Sequence, residues 1–298
     1  MSFALTPSAI SPAPSIILAR SLPQGVDELQ QMGPMELFQS QMETGSTEAK
    51  VDAMKRLPVV AYAMGASETC SKLLPYLQTL ANNTTSTGGS APQPLEDELL
   101  LLLAKQVQTL SPALLTETSQ MMQLVPILER LASVEETVVR EQAVIAMNNL
   151  CTALAGSSAK TVSSETGASL LAVAKRLASA DWFTPKVSAA GMLPSMYHIT
   201  KIPELAVLYK DLCQDETPMV RRSAANHLGA MLKELGGKDK ANDLIPVLQA
   251  LCKDEQDSVR MLAVASLGNV GPSYGKSPEW TKEYLLPLLK DGSTDLSW

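Results

Sequence analysis

Leu244-Ile245-Pro246-Val247-Leu248, then Asp254-Glu255-Gln256-Asp257-Ser258-Val259-Arg260-Met261-Leu262-Ala263, is the stretch from which the rest of the chain becomes readable. Leu244, Val247, Leu248 and Leu251 fall at the 3.6-residue spacing of a helix with one apolar face. Pro246 sits inside that pattern, where it removes a backbone donor and predicts a bent helix. After an acidic turn, Arg260 is followed three residues on by Ala263 and seven on by Leu267. A small residue there lets a second helix lie close against a neighbour. The stretch therefore predicts two short helices, A and B, joined by a polar turn.

Both halves recur. The first returns as Leu73-Leu74-Pro75-Tyr76-Leu77, Leu124-Val125-Pro126-Ile127-Leu128 and Leu285-Leu286-Pro287-Leu288-Leu289. The prolines lie 51, 120 and 41 positions apart. The interval of 120 is three units of 40 and leaves room for two units without the proline, at Leu170 to Leu177 and Leu205 to Leu212. The second half returns as Glu135-Glu136-Thr137-Val138-Val139-Arg140 and Glu216-Thr217-Pro218-Met219-Val220-Arg221, followed by Ala143 with Met147 and Ala224 with Leu228. Lys50 with Ala53 and Leu57, and Lys186 with Ala189 and Leu193, keep the same frame. A period near 40 with two helices per unit is the signature of HEAT repeats. The expected fold is all-α: a right-handed superhelical stack of antiparallel helix pairs, with six complete units and a truncated seventh. The expected units are 32–64, 65–115, 116–160, 165–201, 202–237, 241–273 and a partial 278–298. Residues 1–31 read as a disordered leader, and the low-complexity run in 82–94 as a flexible insertion.

Composition agrees. Apolar residues make up 45% of the chain but aromatics only 4%, which suits packed helices better than sheets. The formal charge of −7 and the absence of any Lys/Arg cluster exclude a phosphate-neutralising surface, so no nucleic-acid partner is expected. No run of eighteen apolar residues exists to span a membrane. Cys70, Cys151, Cys213 and Cys252 form no CxxC pair, which points to a reducing, cytoplasmic and also nuclear setting. Cys213 and Cys252, 39 residues apart, read as equivalent core positions rather than a metal or redox pair. His198 and His227 lie on different B helices with no acid in motif spacing, and the fourteen methionines read as core filler. Nothing predicts a catalytic site, a cofactor or a metal.

The turns carry the remaining expectations. Thr217-Pro218 reads as an N-cap followed by a first helical proline, and Thr184-Pro185 as a second instance. Asp215 lies six residues before Arg221, as Asp254 does before Arg260. Repeated down the stack, these charges predict a ladder between units made of Arg140, Lys186, Asp215, Arg221, Asp254 and Arg260. Asp295 is the next acid in phase, and its arginine would fall beyond the chain.

Several of these segments resemble the scaffold (A) subunits of type 2A protein phosphatase. The likeness is carried by Leu131 to Arg140, Asp181-Trp182-Phe183-Thr184, Asp215 to Arg222, Asp254 to Arg260 and the closing Ser297-Trp298. It is specific from Leu124 onward, weaker from Met35 to Leu110, and absent from 1–31 and the 82–94 loop. It implies a non-catalytic scaffold matching the N-terminal half of a horseshoe of about fifteen units. Turns between helix A and helix B would bind a regulatory (B-type) subunit, and the catalytic-subunit platform would lie outside this chain. The implied partner-binding residues are Glu135, Glu136, Asp181, Trp182, Phe183, Asp215, Glu216, Thr217, Pro218, Arg222, Glu255 and Asp257. For Trp182 and Phe183 packing on the next unit competes with this role, and for Thr217 and Pro218 helix initiation does. A general HEAT adaptor, or a truncated paralogue that captures regulatory subunits without a catalytic subunit, are the alternative readings.

Overall fold

In the computed structural model the described residues are 32–82, 95–156, 161–235, 244–274 (side chains to 266) and the isolated positions 282, 286, 287 and 290. The expected leader, all of the 82–94 insertion but Asn82, and most of the partial seventh unit lie outside them. Every described element is helical. The order is α1 (Pro34–Thr44), α2 (Thr47–Lys55), α3 (Leu57–Glu68), α4 (Leu74–Asn82), α5 (Asp97–Val107), α6 (Thr118–Met121) and α7 (Val125–Leu131). Then follow α8 (Thr137–Ala155), α9 (Ser164–Ala178), α10 (Phe183–Thr200), α11 (Pro203–Cys213), α12 (Pro218–Leu235), α13 (Ile245–Leu251) and α14 (Asp257–Tyr274).

These helices make two layers. The B helices α8, α10, α12 and α14 pack side by side in sequence order, while in the other layer α4 packs on α7, α9 on α11 and α11 on α13. The small residues predicted at the helix B contact are buried: Ala53, Ala143, Ala189, Ala224 and Ala263. So are the large ones that follow, Leu57, Met147, Leu193 and Leu228. No pair of helices could bury those faces alone, so one unit supplies the core of the next. The five-leucine run of α5 is divided by helical geometry: Leu99, Leu100 and Leu103 are buried, while Leu101 and Leu102 are half-buried against the same core.

The helix A prolines do not sit in the middle of a bent α-helix. Pro126 opens α7, and the turn before it (Met122–Leu124) tightens to 3-10 geometry. Before Pro75 the chain widens instead into a π turn, Thr69–Leu73. Pro246 opens α13 in the same way. A proline lacks the N–H and crowds the carbonyl four residues back, so a change of helix type relieves both conflicts where a bend alone would not. Gly65 interrupts the helix that follows α2. Its φ of +77° is open to glycine at no steric cost, and it breaks the run Leu57–Glu68 so that the chain can turn back.

The Thr184-Pro185 expectation is corrected. α10 begins at Phe183, with Trp182 as its N-cap, so Thr184 is already inside the helix. Its hydroxyl is buried with no hydrogen-bond partner among the described residues.

Candidate partner-binding edge and the cation ladder behind it

The A-to-B turns are built by one repeated device. Arg221 Nη1 donates to the carbonyl oxygens of Asp215 and Glu216, both at 3.0 Å. Arg260 Nη1 does the same to Asp254 (2.8 Å) and Glu255 (3.4 Å), and Arg140 Nη1 to Val134 (2.9 Å) and Glu135. The arginine thus clamps the turn that precedes its own helix. The aspartate six residues earlier works in two directions. Asp215 Oδ1 accepts from the Thr217 N–H at 2.8 Å, and Asp254 Oδ1 from the Gln256 N–H at 2.9 Å, each closing the turn. The carboxylate also meets the cation of the preceding unit. Lys186 Nζ lies 2.9 Å from Asp215 Oδ2. Arg221 grips Asp254 with two bonds, Nε to Oδ2 at 2.6 Å and Nη2 to Oδ1 at 3.1 Å, and reaches Glu255 Oε1 at 3.2 Å. The aspartate of the Asp–Arg spacing therefore pairs with the previous unit's cation, while its own arginine takes the backbone.

Electrostatics follow from this geometry. Burial alone would raise the Asp215 carboxyl, but the Lys186 ammonium and the Thr217 N–H outweigh it and hold it below the usual carboxylate range. Burial opposes Arg221, the Gln256 N–H and Arg260 at Asp254 in the same way, and that carboxyl is likewise held low. Because both folded-state values lie below the unfolded ones, the stabilisation is full above the ordinary Asp range. It is lost as pH falls through the depressed values. Acid titration of unfolding, followed by circular dichroism, is expected to show stability dropping below about pH 4. In an Asp215→Asn/Asp254→Asn variant that acid-dependent part is expected to shrink; an unchanged profile would contradict the ladder's role.

One rung is missing. Ala180 stands six residues before Lys186, where the next two units carry Asp215 and Asp254. Arg140, expected in the ladder, consequently makes no bond to the next unit among the described residues; its partners are Val134, Glu135 and Thr137 of its own turn. Its Nε is buried without an acceptor. Burial pulls the guanidinium below its ordinary value, opposed by Glu136 and Glu141. Asp181, one position out of phase, is exposed and bonds to no described residue. Arg260 grips Asp257 at 2.6 Å, and Asp295, its counterpart in the next unit, lies outside the described residues.

Of the turn residues singled out, many are committed within the chain. Glu136 caps α8 by accepting from the Val138 N–H. Asp215, Glu255 and Asp257 hold cations, and Thr217 and Pro218 start α12. The side chains of Glu135, Asp181, Trp182, Glu216 and Arg222 face solvent without such a commitment, and Glu255 and Asp257 are exposed as well. Trp182 is 61% exposed, its ring 5.3 Å from that of Phe183, which is half-buried against the core. A large aromatic presented to water on a rigid aromatic base is an anchor of the kind that dominates protein interfaces.

A family model described as HEAT repeats matches residues 205–296. The PP2A regulatory A subunit of Schizosaccharomyces pombe is 28% identical over 92% of this chain and 44% of its own length. Its Saccharomyces cerevisiae namesake is 32% identical over 81% of this chain and 36% of its own length. The Drosophila melanogaster PP2A 65 kDa regulatory subunit is 36% identical over 67% and 31%. The chain is a HEAT-repeat relative of the PP2A regulatory A subunits. It spans less than half the length of these relatives. All three are named as regulatory subunits, which bears out the reading of a non-catalytic chain.

In this PP2A A-subunit relative, several structural contacts had no motif to announce them. Arg176 forks onto Glu129 (2.6 and 2.8 Å), joining α9 to α7 next to the missing rung. Ser188, Ser223 and Ser266 donate to the carbonyls of Ala132, Val187 and Ala225 in the preceding unit at 2.6–2.9 Å. His198 has an acidic partner that no motif spacing announced: its Nδ1 lies 2.5 Å from Glu234 Oε2 on the next B helix. The partners are 36 residues apart, so only the stack brings them together. The methionines are not all filler either, since Met219 and Met261 are about half exposed. Cys213 is buried and Cys252 half-buried, and burial pushes the Cys151 thiol up to about 12, so this thiol is inert. Among the described residues, no helix is long and apolar enough to cross a membrane.

Proposed function

We propose that this chain is a phosphatase scaffold segment that uses its A-to-B turns to hold a regulatory, B-type subunit. The observation that carries the reading is the exposed Trp182, seated on Phe183 at one such turn, in a chain similar to named PP2A regulatory A subunits. The ladder keeps successive turns in fixed register, so a rigid partner meets several at once at little cost in ordering entropy. Glu135, Asp181, Glu216 and Arg222 supply solvent-facing charges on this turn and the turns of the neighbouring units. We assign this chain to the N-terminal half of such scaffolds and the catalytic-subunit platform to segments outside it. A cytoplasmic and nuclear setting suits that role.

A binding assay with separately purified regulatory and catalytic phosphatase subunits tests the assignment. The full chain is expected to retain the regulatory but not the catalytic subunit. Capture of only the catalytic subunit would show that the chain represents the other half of the horseshoe, and capture of neither would remove the assignment.

A further inference from the structure

Behind the turns, the B-helix layer carries a groove of about 490 Å³ across α8, α10 and α12, closed at one side by Leu262 of α14. Its apolar lining includes Ile145, Phe183, Val187 and Met219. Ile145 and Met219 are each 50% exposed, so this surface is wet in the free chain. The same groove is lined by Arg140 and Arg222. Arg222 is exposed and makes no ion pair or hydrogen bond with a described side chain, while Arg140 has a buried Nε–H without an acceptor because its rung of the ladder lacks an aspartate. The carboxylate of Glu141, at the same lining, leaves the groove with one more cation than anion.

An orphaned buried donor on a cation costs far more than an exposed one and is relieved by a charged acceptor. Two guanidinium groups, neither bonded to a carboxylate and set among exposed apolar side chains, define what fits. We infer that this groove receives an extended segment of a partner protein carrying an acidic side chain flanked by large apolar ones, the carboxylate pairing with Arg140 and Arg222. The apolar side chains cover Ile145 and Met219, and Arg222 closes on the acidic group from the other wall. Asn226, exposed at the lining, offers an amide to the segment's backbone. This goes beyond the turn-mediated docking of a folded subunit: the groove lies on the B-helix layer and shares only Arg222 and Phe183 with the turn edge, and the ligand is a linear segment.

The test uses the full chain and fluorescence anisotropy against an array of labelled nine-residue peptides. Each has one central glutamate, leucine or phenylalanine two and three positions to either side, and serine elsewhere. Saturable binding by a subset is expected, weakened about tenfold when the peptide's glutamate becomes glutamine. Ile145→Glu and Arg222→Ala, both at exposed positions, should each weaken it about fivefold or more. Arg140→Lys, which keeps the charge but removes the Nε–H, should weaken the glutamate peptide and leave its glutamine counterpart unchanged. Val207→Glu, on the other layer, should change nothing. The proposal is overturned if no peptide binds, if oligoglutamate binds equally well, or if binding ignores Arg222 and Ile145. Regulatory-subunit capture is read separately, so either idea can fail alone.

Discussion

Arg221→Ala should cost the stack about 3 kcal/mol, the largest loss expected from any single charged residue here. Arg221 and Asp254 side chains are only 13% and 7% exposed, so removing the guanidinium leaves a nearly buried carboxylate without its main counter-charge. It also frees the carbonyl oxygens of Asp215 and Glu216, which shape the turn before α12. Arg221→Lys should fall between, since an ammonium keeps the charge but cannot form the fork and clamp the turn together. Lys186→Ala should cost less, because Lys186 makes a single contact with Asp215 and is more exposed. Urea unfolding followed by circular dichroism, with hydrogen exchange across α12 and α14, measures the series. Equal stability of Arg221→Ala and the adjacent control Arg222→Ala would refute the ladder as a source of stability.

Trp182→Ala should lower regulatory-subunit affinity about thirtyfold, equivalent to about 2 kcal/mol, without destabilising the chain by more than about 0.5 kcal/mol. The two numbers separate because Trp182 is mostly in water: its truncation removes little buried area in the free chain but would empty an interface anchor. Titration calorimetry with a purified regulatory subunit, beside thermal unfolding of the same variant, reads both. Affinity within twofold of the parent chain would show that this turn is not where the partner docks.

The repeat was legible because each unit solves the same packing problem with the same few residues. Ala224 and Leu228 recur as Ala143 and Met147 since two B helices can approach closely only over a small side chain. The clamp at each turn was half legible. The Asp–Arg spacing stood out, but which unit each partner served depended on how far one helix pair is displaced from the next. That displacement puts Arg221 beside Asp254, and it leaves Arg140 without a described carboxylate partner in the next unit, a gap that has no signature of its own. Glu129 with Arg176 and His198 with Glu234 were invisible for the same reason, since their partners lie 47 and 36 residues apart and meet only through the stack. The helix A prolines showed where a helix had to change, not that 3-10 or π turns would absorb the conflict.

The direction of the clamps matters for how the chain is made. Two of the cations reach forward, Lys186 to a turn 29 residues on and Arg221 to one 33 residues on. On the ribosome a finished unit therefore emerges with its positive hook already positioned, and about thirty more residues suffice to close it. Among the described residues these clamps join neighbouring units only, so a new helix pair latches onto one already folded as synthesis proceeds.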